Sequence, residues 1–90
     1  MRIIEFSPDL QKELQRIKNK EPNLFKKIKK QLRIFKENPR HKSLRLHKII
    51  REVKNVWSIS IDKNIRMLYI DREKIYFFKI GSHDEVYRMR

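Results

Sequence analysis

The chain lacks several features that would indicate other classes of protein. Its 90 residues include no cysteine and one glycine, Gly81. Without cysteine, disulfide frameworks, Cys-ligated zinc sites and cysteine nucleophiles are excluded. No segment is apolar and long enough to span a membrane, and the opening MRIIEFSPDL turns polar too soon for a secretory signal. We therefore expect a cytoplasmic protein and, because the three histidines lack close metal-ligand spacing, neither a structural metal nor a cofactor.

Acidic residues are also scarce. Asp and Glu number 11 against 24 Lys and Arg, which gives a net charge of +13. A surplus of this size on a single small domain repels itself and favours a polyanionic partner. Nucleic acid is the leading candidate, an acidic protein is a second and compatible one, and a membrane surface is a weaker third. The hydrophobic fraction of 39% is enough for one core.

The spacing of apolar residues predicts two helices after a short first strand. Residues 2–7 are rich in β-branched and aromatic side chains, as is typical of a strand. Ser7 can cap a helix that has Pro8 at its first position. A second amphipathic helix is expected to open at Pro22 and to end before Pro39. Together the two helices form a helical hairpin.

The second half of the chain predicts strands. Residues 41–55 form a loop with a short irregular strand, and three clearer strands follow at 56–62, 64–70 and 75–80. Because short turns force antiparallel neighbours, the order β-α-α-β-β-β predicts an α+β fold over residues 1–90. This fold is a single small domain with an antiparallel sheet and the helical hairpin packed on one face. One face of the strand at 64–70 carries Ile65, Met67 and Tyr69, and the other carries Arg66, Leu68 and Ile70.

Residues with chemical potential follow the last strand, in GSHDEVY at 81–87. His83 is a natural acid or base, because imidazole is the side chain best suited to proton transfer at neutral pH. Tyr87 lies four residues later. Arg66 is expected on the sheet face opposite the helices, where a guanidinium can hold a phosphate bidentately.

Each of these residues also has a plainer interpretation. His83 can be a surface histidine in a turn, and Tyr87 a half-buried aromatic that covers the sheet edge. Arg66 can be an exposed strand arginine that pairs with Asp62 or Glu85. Both readings stay open at the level of the sequence.

A run of basic residues before the strand at 56–62 is a candidate for RNA contact. It is the densest basic run outside the predicted helices. The run comprises Arg45, His47, Lys48, Arg51 and Lys54.

The element order, with NIRMLYI followed by FFKIGSHDEVY, resembles the RelE/ParE superfamily of bacterial and archaeal toxins, in particular its RelE and YafQ-like branches. Its most specific elements are VWSISID, the R-x-x-Y of Arg66–Tyr69, and G-S-H-x-x-V-Y at 81–87. The resemblance implies the toxin of a type II toxin–antitoxin pair. It further implies metal-independent, ribosome-dependent cleavage of mRNA, which inhibits translation, and an acidic antitoxin that binds the basic toxin in a hetero-oligomer.

The resemblance also implies roles for individual residues. His83 matches the catalytic histidine of G-S-H, with general acid as the favoured role. Tyr87 matches an aromatic that stacks on a base or assists proton transfer, and Arg66 matches the arginine of R-x-x-Y. Ser60 and Asn64 stand where the YafQ-like pattern has a second histidine and an aspartate, so the resemblance does not identify the general base.

Two other functions stay open. A ParE-like toxin shares the fold but inhibits DNA gyrase without nuclease chemistry, and a catalytically inactive relative would only bind nucleic acid. The pairing of His83 with Tyr87 favours the nuclease, because a gyrase inhibitor has no need of a proton-transfer group there.

Overall fold

The computed structural model describes residues 2–49 and 55–87. Within these ranges no helix is long and apolar enough to cross a membrane. The elements, in chain order, are β1 Ile4–Phe6, α1 Pro8–Lys20, α2 Pro22–Glu37, a 3-10 turn Lys42–Leu44, β2 His47–Ile49, β3 Val56–Ser60, β4 Ile65–Asp71, β5 Ile75–Ser82 and α3 His83–Tyr87.

The helical hairpin begins and ends where its proline and cap residues predict. The Ser7 hydroxyl accepts a hydrogen bond from the Leu10 amide at 3.1 Å, and Pro8 occupies the first turn of α1. Pro22 opens α2, which ends at Glu37, two residues before Pro39. The predicted hairpin is therefore confirmed.

The sheet has five strands in the order β1-β5-β4-β3-β2. The pairs β2–β3, β3–β4 and β4–β5 are antiparallel, as their short connections require. In contrast, β1 runs parallel to β5, with Ile4 opposite Ile75. The helical hairpin between β1 and the other strands is long enough for a crossover, so no tight turn fixes the direction of β1. The α+β class is confirmed, and the sheet is mixed rather than purely antiparallel.

The main core lies between the hairpin and one face of the sheet, as the alternation of residues 64–70 predicts. Phe77 is fully buried at its centre. Its ring lies 5.7 Å from that of Phe6, 5.4 Å from Phe35 and 5.2 Å from Tyr69, between ring centroids. The core residues are Leu10, Ile17, Ile28, Phe35, Leu44, Ile59, Ile61, Met67, Tyr69, Ile75 and Phe77.

A second, smaller core covers part of the opposite face, which the sequence predicts to be open. The short helix α3 packs there, with Val86 fully buried against Ile49, Val56 and Leu68. The last strand continues beyond the predicted residues 75–80 to Ser82, and α3 starts directly after it. The sequence gives little sign of α3, because five residues are too few to show helical periodicity.

Gly81 lies within β5, so it is not a turn residue, and its φ is not positive. A Cβ atom at this position would lie 3.2 Å from the Cβ of Glu85 in α3, closer than most carbon contacts. The glycine therefore favours the close approach of α3 to the strand, and it does not serve backbone freedom.

We expect Phe77→Ala to lower the free energy of unfolding by about 3–5 kcal/mol, because it leaves a cavity among three aromatic rings. Phe78→Ala is the matched control, since Phe78 is only partly buried and packs against the smaller core. Urea denaturation measures both losses. Equal losses in the two variants would contradict the assignment of the main core.

Candidate active site

Arg66 is fixed in position on the sheet face opposite the helical hairpin. Its Nε donates to the hydroxyl of Ser58, and its Nη2 donates to the carbonyl oxygens of Arg45 at 2.6 Å and of Ser58 at 3.3 Å. Ser58 is itself fully buried in β3. These acceptors belong to β3 and to the end of the 3-10 turn, and all of them are uncharged. They therefore fix the orientation of the guanidinium without cancelling its positive charge.

The predicted alternative, an ion pair between Arg66 and Asp62 or Glu85, is wrong. Asp62 lies 3.5 Å from the ammonium of Lys27, and its carboxylate also accepts the amides of the turn that follows β3. Glu85 accepts a hydrogen bond in α3. Among the described residues, no carboxylate forms an ion pair with Arg66.

The electrostatic setting of Arg66 favours an anion. Burial lowers the pKa of the Arg66 guanidinium, the phenol group of Tyr87 raises it, and the neighbouring Arg45 cation lowers it further. A half-buried cation beside a second cation is electrostatically unfavourable until a negative group approaches. A phosphate would relieve both the desolvation and the repulsion.

Arg45 holds an uncommon backbone conformation next to Arg66. Its φ of 45° and ψ of 52° lie in the left-handed region, at the end of the 3-10 turn. A residue other than glycine adopts this region at some cost, and such positions cluster at functional sites. Here the carbonyl of Arg45 accepts the hydrogen bond of Arg66 while its side chain is exposed.

The Tyr87 ring lies close to two histidine rings. The His83 ring centroid is 4.3 Å from that of Tyr87 and the His47 ring centroid is 6.0 Å away, both in edge-on geometry. His83 and Tyr87 are the first and last residues of α3, four positions apart on one face of the helix. His47 lies opposite Ser58 in the β2–β3 register and thus shares its face of the sheet.

The structure thereby adds His47 to the candidate proton-transfer groups, whereas the sequence places it in the RNA-contact run. Its position depends on the pairing of β2 with β3, and the irregular sequence at 41–55 does not reveal that register. Both imidazoles are exposed, with 67% of the His83 side chain accessible, and so can reach a bound strand.

A reciprocal capping box holds α3 in place. The Ser82 hydroxyl accepts from the Glu85 amide at 3.1 Å, and the Glu85 carboxylate accepts from the Ser82 amide at 2.8 Å. The His83 amide donates to the carbonyl of Asn64 at 3.2 Å, which ties the helix start to β4. Glu85 is therefore a structural cap. Asp84 lies beside His83, with Oδ1 4.0 Å from Nδ1.

The remaining predicted site residues do not all lie near Arg66. Lys48 lies opposite Trp57 in the β2–β3 register, and its ammonium is 5.7 Å from the Trp57 ring, on the helical face and away from Arg66. Arg51 and Lys54 lie outside the described residues. Tyr87 is half-buried and packs against the second core, so its plainer interpretation as a covering aromatic describes part of its environment.

A second cationic surface begins at Arg45. Its side chain lines a shallow pocket of about 340 Å³. The other cations of this pocket are Lys27, Lys30 and Lys63, and its one carboxylate, Asp62, pairs with Lys27. The positive charge therefore continues from Arg66, through Arg45, to the exposed side of α2.

The fold is that of a small toxin domain. Residues 4–87 match the sequence model of the family described as the ParE toxin of the type II toxin–antitoxin system parDE. The chain therefore belongs to this family and is a toxin of the type II class, which confirms the predicted RelE/ParE superfamily. No curated protein sequence matches it significantly.

Solved structures share the fold at low sequence identity. The YoeB/ParE toxin from Agrobacterium tumefaciens is 14% identical with a TM-score of 0.75, over 92% of this chain and 99% of the other. YafQ in the E. coli DinJ–YafQ complex is 20% identical with a TM-score of 0.70, over 97% and 99%. YoeB in the Staphylococcus aureus YoeB–YefM complex is 20% identical with a TM-score of 0.68, over 92% and 98%.

We expect the cap on α3 to weaken in acid. Hydrogen bonds from the Ser82 amide and hydroxyl lower the pKa of Glu85 from its ordinary value of 4.5. Because the folded-state pKa is the lower one, ionised Glu85 stabilises α3 above the ordinary value, and this contribution is lost as the pH falls through the folded-state pKa. The amide chemical shift of Ser82, followed by NMR from pH 7 to pH 2, reports the change.

Glu85→Gln is the matched control, because an uncharged amide can still accept from Ser82. Its Ser82 shift should stay constant over the same range, and Glu85→Ala should lose the capped shift at every pH. If the wild-type protein and Glu85→Gln titrate identically, Glu85 does not cap α3.

Proposed function

We propose that this toxin is a metal-independent endoribonuclease that cleaves mRNA, in a ribosome-dependent manner, and so inhibits translation. The observation that carries the proposal is the placement of both His47 and His83 against the Tyr87 ring, beside the half-buried cation of Arg66. RNA can be cleaved without a metal when its own 2′-hydroxyl attacks the adjacent phosphate. That reaction needs a base, an acid and positive charge at the phosphate.

The reaction balances with these groups alone. A base removes the proton of the 2′-hydroxyl as the bond from O2′ to phosphorus forms. The bond from phosphorus to O5′ then breaks, and an acid protonates the leaving 5′-oxygen. The products are a 2′,3′-cyclic phosphate and a free 5′-hydroxyl, and the enzyme returns to its starting state after the two proton-transfer groups exchange a proton with water.

We assign the charge stabilisation to Arg66. Its guanidinium is held by the carbonyl of Arg45 and by Ser58, so it needs little reorganisation when negative charge develops on the phosphate. Its partial burial strengthens the attraction, because the effective dielectric around it is lower than in water.

We assign the acid to His83 and the base to His47. Both imidazoles lie close to the Tyr87 ring, so a phosphate bound beside that ring can have one imidazole near its 2′-oxygen and the other near its 5′-oxygen. Tyr87 offers an aromatic face on which a base can stack. His47 thus fills the role for which Ser60 and Asn64 are chemically unsuited.

The basic run is proposed to hold the flanking RNA. Arg45 adjoins the site directly, and Lys27, Lys30 and Lys63 extend the positive surface along one side. Lys48, Arg51 and Lys54 remain predicted contacts. Contacts of this kind go to phosphates and give affinity rather than sequence preference.

We propose an acidic antitoxin as the protein partner, in a hetero-oligomer in the cytoplasm. The net charge of +13 favours an acidic protein. The similar YoeB and YafQ folds were solved in complex with YefM and with DinJ.

A second candidate function follows from the family itself. The matching family is named for ParE toxins, so inhibition of DNA gyrase by binding, without cleavage, is the alternative. That function would use the same cationic surface but would not need two histidines around Tyr87.

We expect His83→Ala and Arg66→Ala each to slow cleavage of mRNA on translating ribosomes by about 10²–10⁴-fold, the range for loss of a proton-transfer or charge-stabilising group. The control is Arg72→Ala, which removes an exposed arginine outside the cluster. Purified toxin, freed of any partner, is added to a translation mixture, and the cleavage ends are mapped.

The same preparations are assayed for arrest of gyrase supercoiling. No cleavage by the wild-type protein, together with gyrase arrest, would replace the ribonuclease with the ParE-like alternative. Cleavage that is undiminished in His83→Ala would remove this residue from the mechanism.

The assignment of acid and base makes a separate prediction. With a 5′-bridging sulfur at the scissile phosphate, the leaving thiolate needs no proton, so loss of a general acid should hardly slow the reaction. We expect His83→Ala to cleave this substrate at nearly the wild-type rate, and His47→Ala to remain slow. Rescue of His47→Ala instead would reverse the two roles.

A further inference from the structure

One polar side chain interrupts the apolar stripe of α2. Gln31 lies one helical turn from Ile28 and one from Phe35, both of which are buried in the main core. It is itself only 7% exposed. Burial of an amide costs free energy unless the protein restores its hydrogen bonds, so an apolar side chain would suit the stripe better. The contacts of the amide account for its presence.

The Gln31 amide connects α2 to two other segments. Its Nε2 donates to the carbonyl of Ser60 at 2.9 Å and to the carbonyl of Ser43 at 3.3 Å. Ser60 is the last residue of β3, and Ser43 lies in the 3-10 turn. One buried amide therefore ties this turn to the end of the strand.

The sheet explains why the carbonyl of Ser60 needs this bond. The Ile61 amide donates to the Ile65 carbonyl, so the Ser60 carbonyl, one residue earlier, points away from β4. The described pairing of β3 with β2 ends at Ser58 and does not reach Ser60. Gln31 supplies the hydrogen bond that a longer β2 would supply.

The 3-10 turn provides one acceptor for Arg66. It ends at Arg45, two residues after Ser43, and the Arg45 carbonyl accepts from Nη2 of Arg66 at 2.6 Å. The left-handed conformation of Arg45 persists only where surrounding contacts enforce it. The bond from Gln31 to Ser43 is one such contact, and the burial of Leu44 in the main core is another.

Strand β3 provides the other described acceptors. The hydroxyl and the carbonyl of Ser58 accept from Arg66, and Ser58 lies two residues before Ser60. Gln31 thus holds both segments, each two residues away from an acceptor of the guanidinium. Because the guanidinium is a rigid planar fork, it can bond to both segments only when their separation is correct.

We propose that Gln31 is a positioning residue for Arg66: by tying the 3-10 turn to β3, it keeps the acceptors at the separation that directs the guanidinium toward a bound phosphate. It acts through Ser43 and Ser60, from the helical side of the sheet. The consequence for RNA cleavage rests on the proposed function, whereas the orientation of Arg66 does not. Charge stabilisation depends on geometry set before the reaction, so a loosened Arg66 lowers kcat rather than raising KM.

Two variants remove the amide and keep an apolar side chain of similar size. Gln31→Met is unbranched, as glutamine is, and Gln31→Leu completes the apolar stripe of α2. We expect kcat for mRNA cleavage on translating ribosomes to fall about 10–100-fold in both variants, with KM unchanged. Circular dichroism melting curves verify that both variants fold.

Gln11→Met is the matched control for the chemical change. The Gln11 amide also donates to a backbone carbonyl at 2.9 Å, that of Phe6 in β1, two strands away from β4. Ile28→Val controls for stability, because it removes one buried carbon from the same helix without removing a hydrogen bond. Both controls should cleave at nearly the wild-type rate.

A second measurement follows Arg66 itself and needs no catalysis. The bonds from Nε and Nη2 slow the rotation of the guanidinium about its Nε–Cζ bond, and side-chain NMR of the isotope-labelled full chain gives the rate. The Arg66 signal is assigned by its loss in Arg66→Lys. We expect the rate to rise about tenfold in both Gln31 variants, the factor for loss of one hydrogen bond from a charged donor. It should stay at the wild-type value in Gln11→Met and Ile28→Val.

An unchanged rotation rate in both Gln31 variants would overturn the proposal. Cleavage that falls equally in Ile28→Val would also overturn it, because the loss would then follow from stability alone. If the wild-type protein does not cleave mRNA, the ribonuclease proposal fails, and the rotation rates still decide whether Gln31 positions Arg66.

Discussion

The close packing of α3 on the end of β5 is the contact on which the candidate site depends. Gly81 allows the helix to approach the strand, Val86 anchors it in the second core, and the Ser82–Glu85 capping box fixes its start. Together these three contacts place His83 and Tyr87 over the sheet. A five-residue helix has almost no stability of its own, so its position is set by these tertiary contacts.

Positive charge without a counterion is the second constraint. The carbonyl of Arg45 and the hydroxyl of Ser58 orient the guanidinium of Arg66, but neither cancels its charge. Elsewhere in the chain, carboxylates do pair with cations, as Asp62 does with Lys27 and Asp71 with Arg2. The absence of such a partner in the described surroundings of Arg66 therefore has a cost in stability, which is typical of a site built to receive an anion.

Local signals in the sequence account for much of the fold. Ser7, Pro8 and Pro22 predict the helix starts, and alternation in β4 predicts which face carries Arg66. The parallel pairing of β1 with β5 is not predictable in this way, because it joins residues about seventy positions apart. The proximity of His47 to Tyr87 is not predictable for the same reason, because it depends on the register of a three-residue strand with β3. Sequence reasoning thus identifies Arg66, His83 and Tyr87 as candidates, but not the second imidazole beside Tyr87.

The most direct test of the account is the position of the scissile phosphate. A crystal structure of the full chain with an RNA whose reactive nucleotide is 2′-deoxy would hold that phosphate uncleaved. The account predicts a phosphate oxygen within hydrogen-bond distance of the Arg66 guanidinium, with His47 and His83 on its two sides and a base against Tyr87. A phosphate bound only to the lysines of α2, with Arg66 unoccupied and the two imidazoles turned away, would contradict it.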